Sequence, residues 1–311
     1  MRRIFIILFL FTSIALYSQD KPKLSLSQQE TSFFNPAFTG LEKLHRVQFH
    51  HRRQWMGFDG GPSTQILSYS GSYFRSVGLG GYFYLDAVGP VKNYGANVAY
   101  AFHVDMAKTS FAFGLSMSLA QTMYDFKEMD FENEYDPLVA GTDVVKSKIR
   151  PDFTGGAIWY GQKHILGLSV NYRFKNEVKE DIDITLGADQ HYYLFGNYSF
   201  PLSGDKIILT PNALGFINSE LKYQWEAGVR SKFNNTVLLG VSYRSDKSVI
   251  LSAGVKLLKM FEFNYAYDFS YGNVGEYYKS SHEILLICRI RKLADAFKKQ
   301  EERQLKEYYW L

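Results

Sequence analysis

The sequence predicts an all-β protein, a transmembrane antiparallel β-barrel of about fourteen strands with a short C-terminal helical tail. Three observations predict it. Aromatic residues make up 17% of the 311 residues, with 23 Tyr and 25 Phe, yet mean hydropathy is only −0.20. Past Asp20, large apolar side chains alternate with small or polar ones in runs of roughly ten residues, the length of a tilted membrane strand. The first 18 residues carry the features of an export signal. Lipid cannot hydrogen-bond a sheet edge, so an exported membrane sheet must close on itself. A soluble sandwich or propeller would use shorter strands of about five or six residues, and no motif recurs at a fixed period. Abundant aromatics exclude disorder for the bulk of the chain. Beyond the first 18 residues no apolar run reaches the roughly 20 residues that a membrane helix needs.

Taken in order, residues 1–18 read as a signal peptide. Arg2-Arg3 precedes the apolar run Ile4–Phe11, small and polar residues follow, and cleavage fits after Ser18. No Cys stands at the junction, which argues against a lipoprotein. Residues 19–42 read as an N-terminal periplasmic arm, 43–291 as the barrel and 292–311 as the tail.

Strands are expected near 43–53, 64–74, 77–86, 94–105, 110–122, 152–160, 164–173, 190–200, 206–216, 221–233, 236–245, 248–257, 260–270 and 282–291. In one of them Phe111, Phe113, Leu115, Met117 and Leu119 interleave with Ala112, Gly114, Ser116, Ser118 and Ala120. The apolar face meets lipid and the other face, of Gly, Ser, Asn, Asp and Arg, lines the lumen. Turn residues such as Gly60-Gly61-Pro62, Gly89-Pro90 and Asn234-Asn235 separate the strands.

Two segments lack alternation. Residues 123–151 hold six carboxylates between Asp125 and Asp136 and read as a long solvated loop on the outer side, because their spacing matches no calcium loop. The tail has helical composition, with pairs such as Glu302 and Lys306 four residues apart.

Charge and chemistry narrow the function. Lys+Arg 35 against Asp+Glu 31 is too balanced to indicate nucleic acid as a partner. The lone Cys288 permits neither an internal disulfide nor a thiolate metal cluster. Ser281-His282-Glu283 has the residue types of a catalytic triad, but strand neighbours point to opposite faces and cannot relay a proton. The same alternation parts His50 from His51, which is poor for a shared metal. Gly78-Leu79-Gly80-Gly81 lacks the following helix that a phosphate loop requires and gives room to a neighbour instead. No catalytic, cofactor-binding or metal-binding residues are assigned, and the chain does not read as an enzyme.

The remaining motifs form an ordered series. Asn35-Pro36-Ala37-Phe38-Thr39-Gly40 precedes the first strand, and Arg52-Arg53-Gln54-Trp55-Met56-Gly57-Phe58 ends it. Gly61-Pro62-Ser63-Thr64 opens the second strand, and Gly78-Leu79-Gly80-Gly81 with Asp86-Ala87-Val88-Gly89-Pro90 makes the third. Pro151-Asp152-Phe153, Gly240–Arg244, Tyr265–Asp268 and Ser281–Ile284 follow. This series resembles the PorP/SprF family of the type IX secretion system of the Bacteroidota, from Asn35 to about Leu286. The resemblance implies a fourteen-stranded outer-membrane barrel, without cofactor, working with the secretion or gliding machinery. The implied partners are the outer-membrane bilayer together with type IX components or a secreted adhesin bearing a C-terminal sorting domain. Residues 21–30, Lys-Pro-Lys-Leu-Ser-Leu-Ser-Gln-Gln-Glu, depart from the aromatic stretch usual in that family, and the tail exceeds its core.

The family-motif positions singled out are Asn35, Pro36, Gly40, Arg53, Gln54, Trp55, Gly57, Pro62 and Thr64, then Asp86, Gly89, Pro90, Arg244, Asp268, His282 and Glu283. Charges within membrane strands cost a few kcal/mol when they face lipid near the midplane. Arg52, Arg53, Asp86, Arg244, Asp268, His282 and Glu283 are therefore expected in the lumen or near a strand end, as a paired network that stiffens the barrel. Asn35-Pro36 is expected to shape a turn that feeds the first strand. An anchoring or escorting barrel is the function expected, with a passive outer-membrane channel as the alternative.

Overall fold

Residues 22–74, 76–125, 144–174, 188–203, 206–219, 221–258, 260–271 and 280–290 are described by the computed structural model. The expected signal peptide, the helical tail and the acidic residues from 126 to 143 lie outside these.

Alternation decides the architecture. Phe113, Leu115, Leu194, Val241 and Leu251 all face outward and are exposed, while Ala112, Ser118, Asn171 and Ile250 on the opposite faces are buried. The strands are β1 (His45–Arg53), β2 (Ser63–Tyr73), β3 (Val77–Val88), β4 (Val91–Asp105), β5 (Thr109–Asp125), β6 (Val144–Lys146), β7 (Arg150–Gly161) and β8 (His164–Phe174). They continue with β9 (Ala188–Tyr198), β10 (Phe200–Leu202), β11 (Ile207–Asn218), β12 (Tyr223–Phe233), β13 (Val237–Arg244), β14 (Ser248–Leu257), β15 (Phe261–Ser270) and β16 (Ser280–Ile290). Fourteen of them form one antiparallel cycle, since β1 pairs with both β2 and β16. The two short strands are accessories: β6 pairs with the end of β5, and β10 extends β11. Part of the segment read as a loop over 123–151 is therefore strand, because β5 runs on to Asp125 and β7 begins at Arg150.

The two rims differ. One carries the connections 54–62, 175–187, 271–279 and the long β5–β7 segment. The other turns tightly at 74–76, 106–108, 162–163, 234–236 and 258–260. Outer-membrane barrels keep short turns on the periplasmic side and long loops outside, which orients the molecule. β1 then runs from the inner rim to the outer rim.

The lumen holds a second element that strand periodicity does not announce. Residues 19–42 are expected as a periplasmic arm; instead residues 22–44 thread the barrel interior. Lys23 Nζ sits 3.2 Å from Asp246 in the outer β13–β14 turn, and the Leu24 carbonyl accepts from Arg244 at 3.1 Å. Further along, the Thr39 carbonyl lies 2.8 Å from His103 Nε2, and Lys43 pairs with Asp105 at the inner end of β4 at 2.8 Å. The chain thus enters at the outer rim, descends, and turns back into β1. Burial of its apolar side chains explains the placement: an arm in solvent would leave Leu26, Phe33 and Phe38 wet, at about 1.5–3 kcal/mol each.

Candidate functional site

The site is this internal plug and the wall that grips it. Three apolar seats receive it. Leu26 packs with Ile250, Ala266, Leu285 and Ile287. Phe33 lies against Ile66 and Tyr82, its ring centroid 4.8 Å from that of Tyr82. Phe38 packs with Ala112, Ile158 and Phe195, edge to face with the last at 5.3 Å. The lumen wall is accordingly not only small and polar, as the composition suggested, but carries Ile and aromatic positions wherever the plug sets down a large side chain.

Glycine supplies the remaining fit. Asn35 caps the second of two 3-10 turns, Pro36–Phe38, its Oδ1 accepting from the Ala37 amide at 2.9 Å. Its Nδ2 donates to the carbonyls of Ala157 and Leu168, at 3.3 and 3.1 Å, across β7 and β8. The wall beneath is bare backbone: a Cβ on Gly156 would overlap the Asn35 side chain, and one on Gly114 would lie 2.7 Å from Ala37 Cα. Asn35-Pro36 does form a turn, but a lumenal one docked on the wall. Gly78 of the glycine-rich stretch similarly makes way for the Thr39 carbonyl. Gly40, at φ +76°, passes so close that its own Cβ would be 2.7 Å from Gly78 Cα.

A charge network fixes the outer half. Glu283 on β16 stands opposite Arg52 on β1 in register, and the two pair at 2.9 Å. The other carboxylate oxygen of Glu283 meets His50 Nε2 at 2.6 Å. The plug closes the set, because the amides of Ser25 and Leu26 both donate to Glu283 at 2.6 Å. Asp268 accepts from Arg52 at 2.8 Å, from Arg244 at 3.1 Å and from the Ser25 hydroxyl at 2.9 Å. Arg244 also grips Glu226 at 2.9 Å. Arg52, Asp268, Glu283 and Arg244 are all buried, so the network is shielded from the screening that weakens surface pairs. At the rim above, burial would push the Asp246 carboxyl upward, but Arg244 and Lys23 outweigh it and hold it below its ordinary range.

The motif positions do not all converge here. Arg53 and His282 point outward: Arg53 is exposed, and His282 bonds the Tyr265 hydroxyl at 2.6 Å on the outer face. Their neighbours Arg52 and Glu283 take the lumenal places. Asp86 stays apart from the network and accepts from Thr64 at 2.6 Å. Gln54 is buried beside Arg52 at 3.5 Å, and its amide bonds the Pro62 carbonyl at 2.8 Å. Trp55, at φ +55°, stacks edgewise on Phe58, and Gly57, at φ +90°, turns the exposed loop beyond. The Gly89 amide ties to the Gly60 carbonyl at 2.9 Å, and the Pro90 carbonyl accepts from Asp125 at 2.9 Å. These loop residues brace the outer rim. Glu226 and Ser25 were not singled out. Glu226 was legible from alternation with Trp225, whereas nothing periodic marks Ser25.

Space remains beside the plug. An outer cavity of about 360 Å³ lies between Pro22–Leu24 and β11–β13. Inner cavities of about 390 and 190 Å³ flank Gln28, Gln29 and Arg46. A pocket of about 10 Å³ lies against Phe34, Asn35, Phe38, Tyr193 and Phe195. That is about the least room a single water occupies.

The family model for the type IX secretion system membrane protein PorP/SprF matches residues 16–287. Among solved structures, the CymD monoaromatic hydrocarbon channel aligns at 13% identity and TM-score 0.52, over 84% of this chain and 93% of that one. The Acinetobacter baumannii outer membrane protein Omp33 aligns at 8% identity and TM-score 0.47, over 79% of this chain and 98% of that one. At such identities the likeness shows the barrel fold alone. A comparison with curated proteins finds no match.

Proposed function

The chain belongs to the PorP/SprF family of type IX secretion system membrane proteins and is an outer-membrane β-barrel, and on that premise we propose that it works as a plugged anchor. It holds or escorts a secreted surface protein, or links the periplasmic ring to the membrane, by contacts at its rims. The observation that carries this reading is the plug itself, with Leu26, Phe33 and Phe38 seated in the wall and the Ser25 and Leu26 amides bonded to Glu283. A plug seated at three apolar places and bonded to the wall supports an anchor over a passive channel, despite the polar lumenal positions. The buried charges pair with one another and with the plug backbone, which suits a rigid scaffold; the reading assigns the protein no reaction. Rigidity serves anchoring because a load on either rim then meets a filled, cross-braced cylinder.

Affinity purification of the tagged protein from cells tests the proposal. Co-purification with type IX components or a surface adhesin is expected, and loss of that adhesin from the surface on gene deletion. A clean deletion that leaves secretion, gliding and adhesin display unchanged would sink it.

A further inference from the structure

Among the described residues, the inner mouth of the lumen carries more positive than negative charge. Its larger cavity, about 390 Å³, is lined by the cations Arg46, Arg230, Lys232, Lys256 and Arg289. Among the described residues, two carboxylates, Glu42 and Glu262, face them there. Glu42 is shared by Arg46 at 2.5 Å and Arg289 at 2.8 Å, two like charges that stand directly opposite on β1 and β16. These two guanidinium groups hold the Glu42 carboxyl below its ordinary range. Glu262 is likewise taken, by Arg289 at 2.8 Å and Lys256 at 3.7 Å. The side chains of Arg230 and Lys232, two positions apart on the lumenal face of β12, form no hydrogen bond or ion pair with a described residue. Donors also outnumber acceptors, since Gln28 Nε2 and Arg46 Nε are buried without a partner on the border of the same space.

We propose that this inner mouth is a receptor for an acidic peptide segment of a periplasmic protein. Carboxylates would complete Arg230 and Lys232 and accept from the orphaned donors, and a partly shielded cationic mouth rewards complementary charge. The occupant is a polypeptide because lipid phosphates lie outside the barrel wall, and their acyl chains cannot follow them into a polar lumen. Access is from the periplasm, since Gln162 and Ser199 on the inner rim border the opening. The inference rests on the orientation of the barrel and is independent of which cargo the outer rim serves.

Calorimetric titration of the full-length protein in phosphatidylcholine nanodiscs tests it, with hexaglutamate, hexalysine and inorganic phosphate as probes. Hexaglutamate is expected to bind, to weaken with added salt, and to outcompete phosphate, while hexalysine does not bind. The double variant R230Q/K232Q is expected to weaken hexaglutamate by about tenfold or more while keeping its folded, heat-modifiable migration. Should that variant fail to fold, Lys232→Gln alone is expected to show the same direction. No hexaglutamate binding at low salt, or equal binding to the variants, overturns the proposal. So does blockade of hexaglutamate by phosphatidylglycerol in the nanodisc, which would assign the site to lipid headgroups.

Discussion

Replacing Glu283 by Ala removes the carboxylate on which the plug hangs. The side chain accepts from the amides of Ser25 and Leu26, both at 2.6 Å, besides pairing with His50 and Arg52. Hydrogen bonds to a charged group are worth about 1.5–3 kcal/mol each, so the two amide bonds hold the outer half of the plug by about 3–6 kcal/mol. Arg52 keeps Asp268 as a partner at 2.8 Å, and β1 and β16 keep their ladder, so the barrel itself survives. Leu26 also keeps its apolar seat. The loss therefore falls on local opening of the plug. At 1.4 kcal/mol per factor of ten, amide exchange over residues 22–30 is expected to accelerate by about two to four orders of magnitude. Hydrogen exchange read by mass spectrometry on peptides from 22–30 and from β15 measures both regions at once. Unchanged exchange in the plug peptides, or equal acceleration in plug and strands, would refute the reasoning.

Three other outcomes follow from the same geometry. Gly156→Ala places a methyl group on the Asn35 side chain and is expected to lower thermal stability, whereas Gly155→Ala meets only Leu115 Cδ2 at 3.8 Å and is expected to stay within about 0.5 kcal/mol of wild type. Arg52→Gln strips a buried partner from both Asp268 and Glu283, and by analogy with other broken buried pairs is expected to cost about 3–5 kcal/mol; Arg53→Gln, on an exposed side chain, is expected to cost little in the same melting assay. An epitope inserted just ahead of Pro22 is expected to be stained on intact cells, because the plug enters from the outer rim, while one following Ile290 is expected to need permeabilisation.

The barrel was largely legible in the sequence, and the plug was not. Alternation is a local signal, and each expected strand lies within a few residues of an observed one, as with 248–257 and β14. It also held the answer for the charges: Arg53 shares the parity of Val47 and Phe49, and His282 that of Ile284 and Leu286, all facing outward. Ranking the motif residues by type alone grouped Arg53 and His282 with Arg52 and Glu283, which parity separates, and left His50 out of the network. Residues 22–44 carry no such periodicity. Their path is set by surfaces distant in sequence: the Gly114, Gly156 and Gly78 clearances, the Glu283 carboxylate and the Phe195 seat. A motif such as Asn35-Pro36-Ala37 states a local turn, and only the closed wall shows that the turn is an anchor point.

Planar-bilayer recording of the purified protein tests the filled lumen most directly. The wild-type barrel is expected to be silent, and a variant lacking residues 22–40 that retains its heat-modifiable barrel is expected to give a steady open pore. A wild-type protein that conducts steadily, at the level of that deletion, would contradict the account.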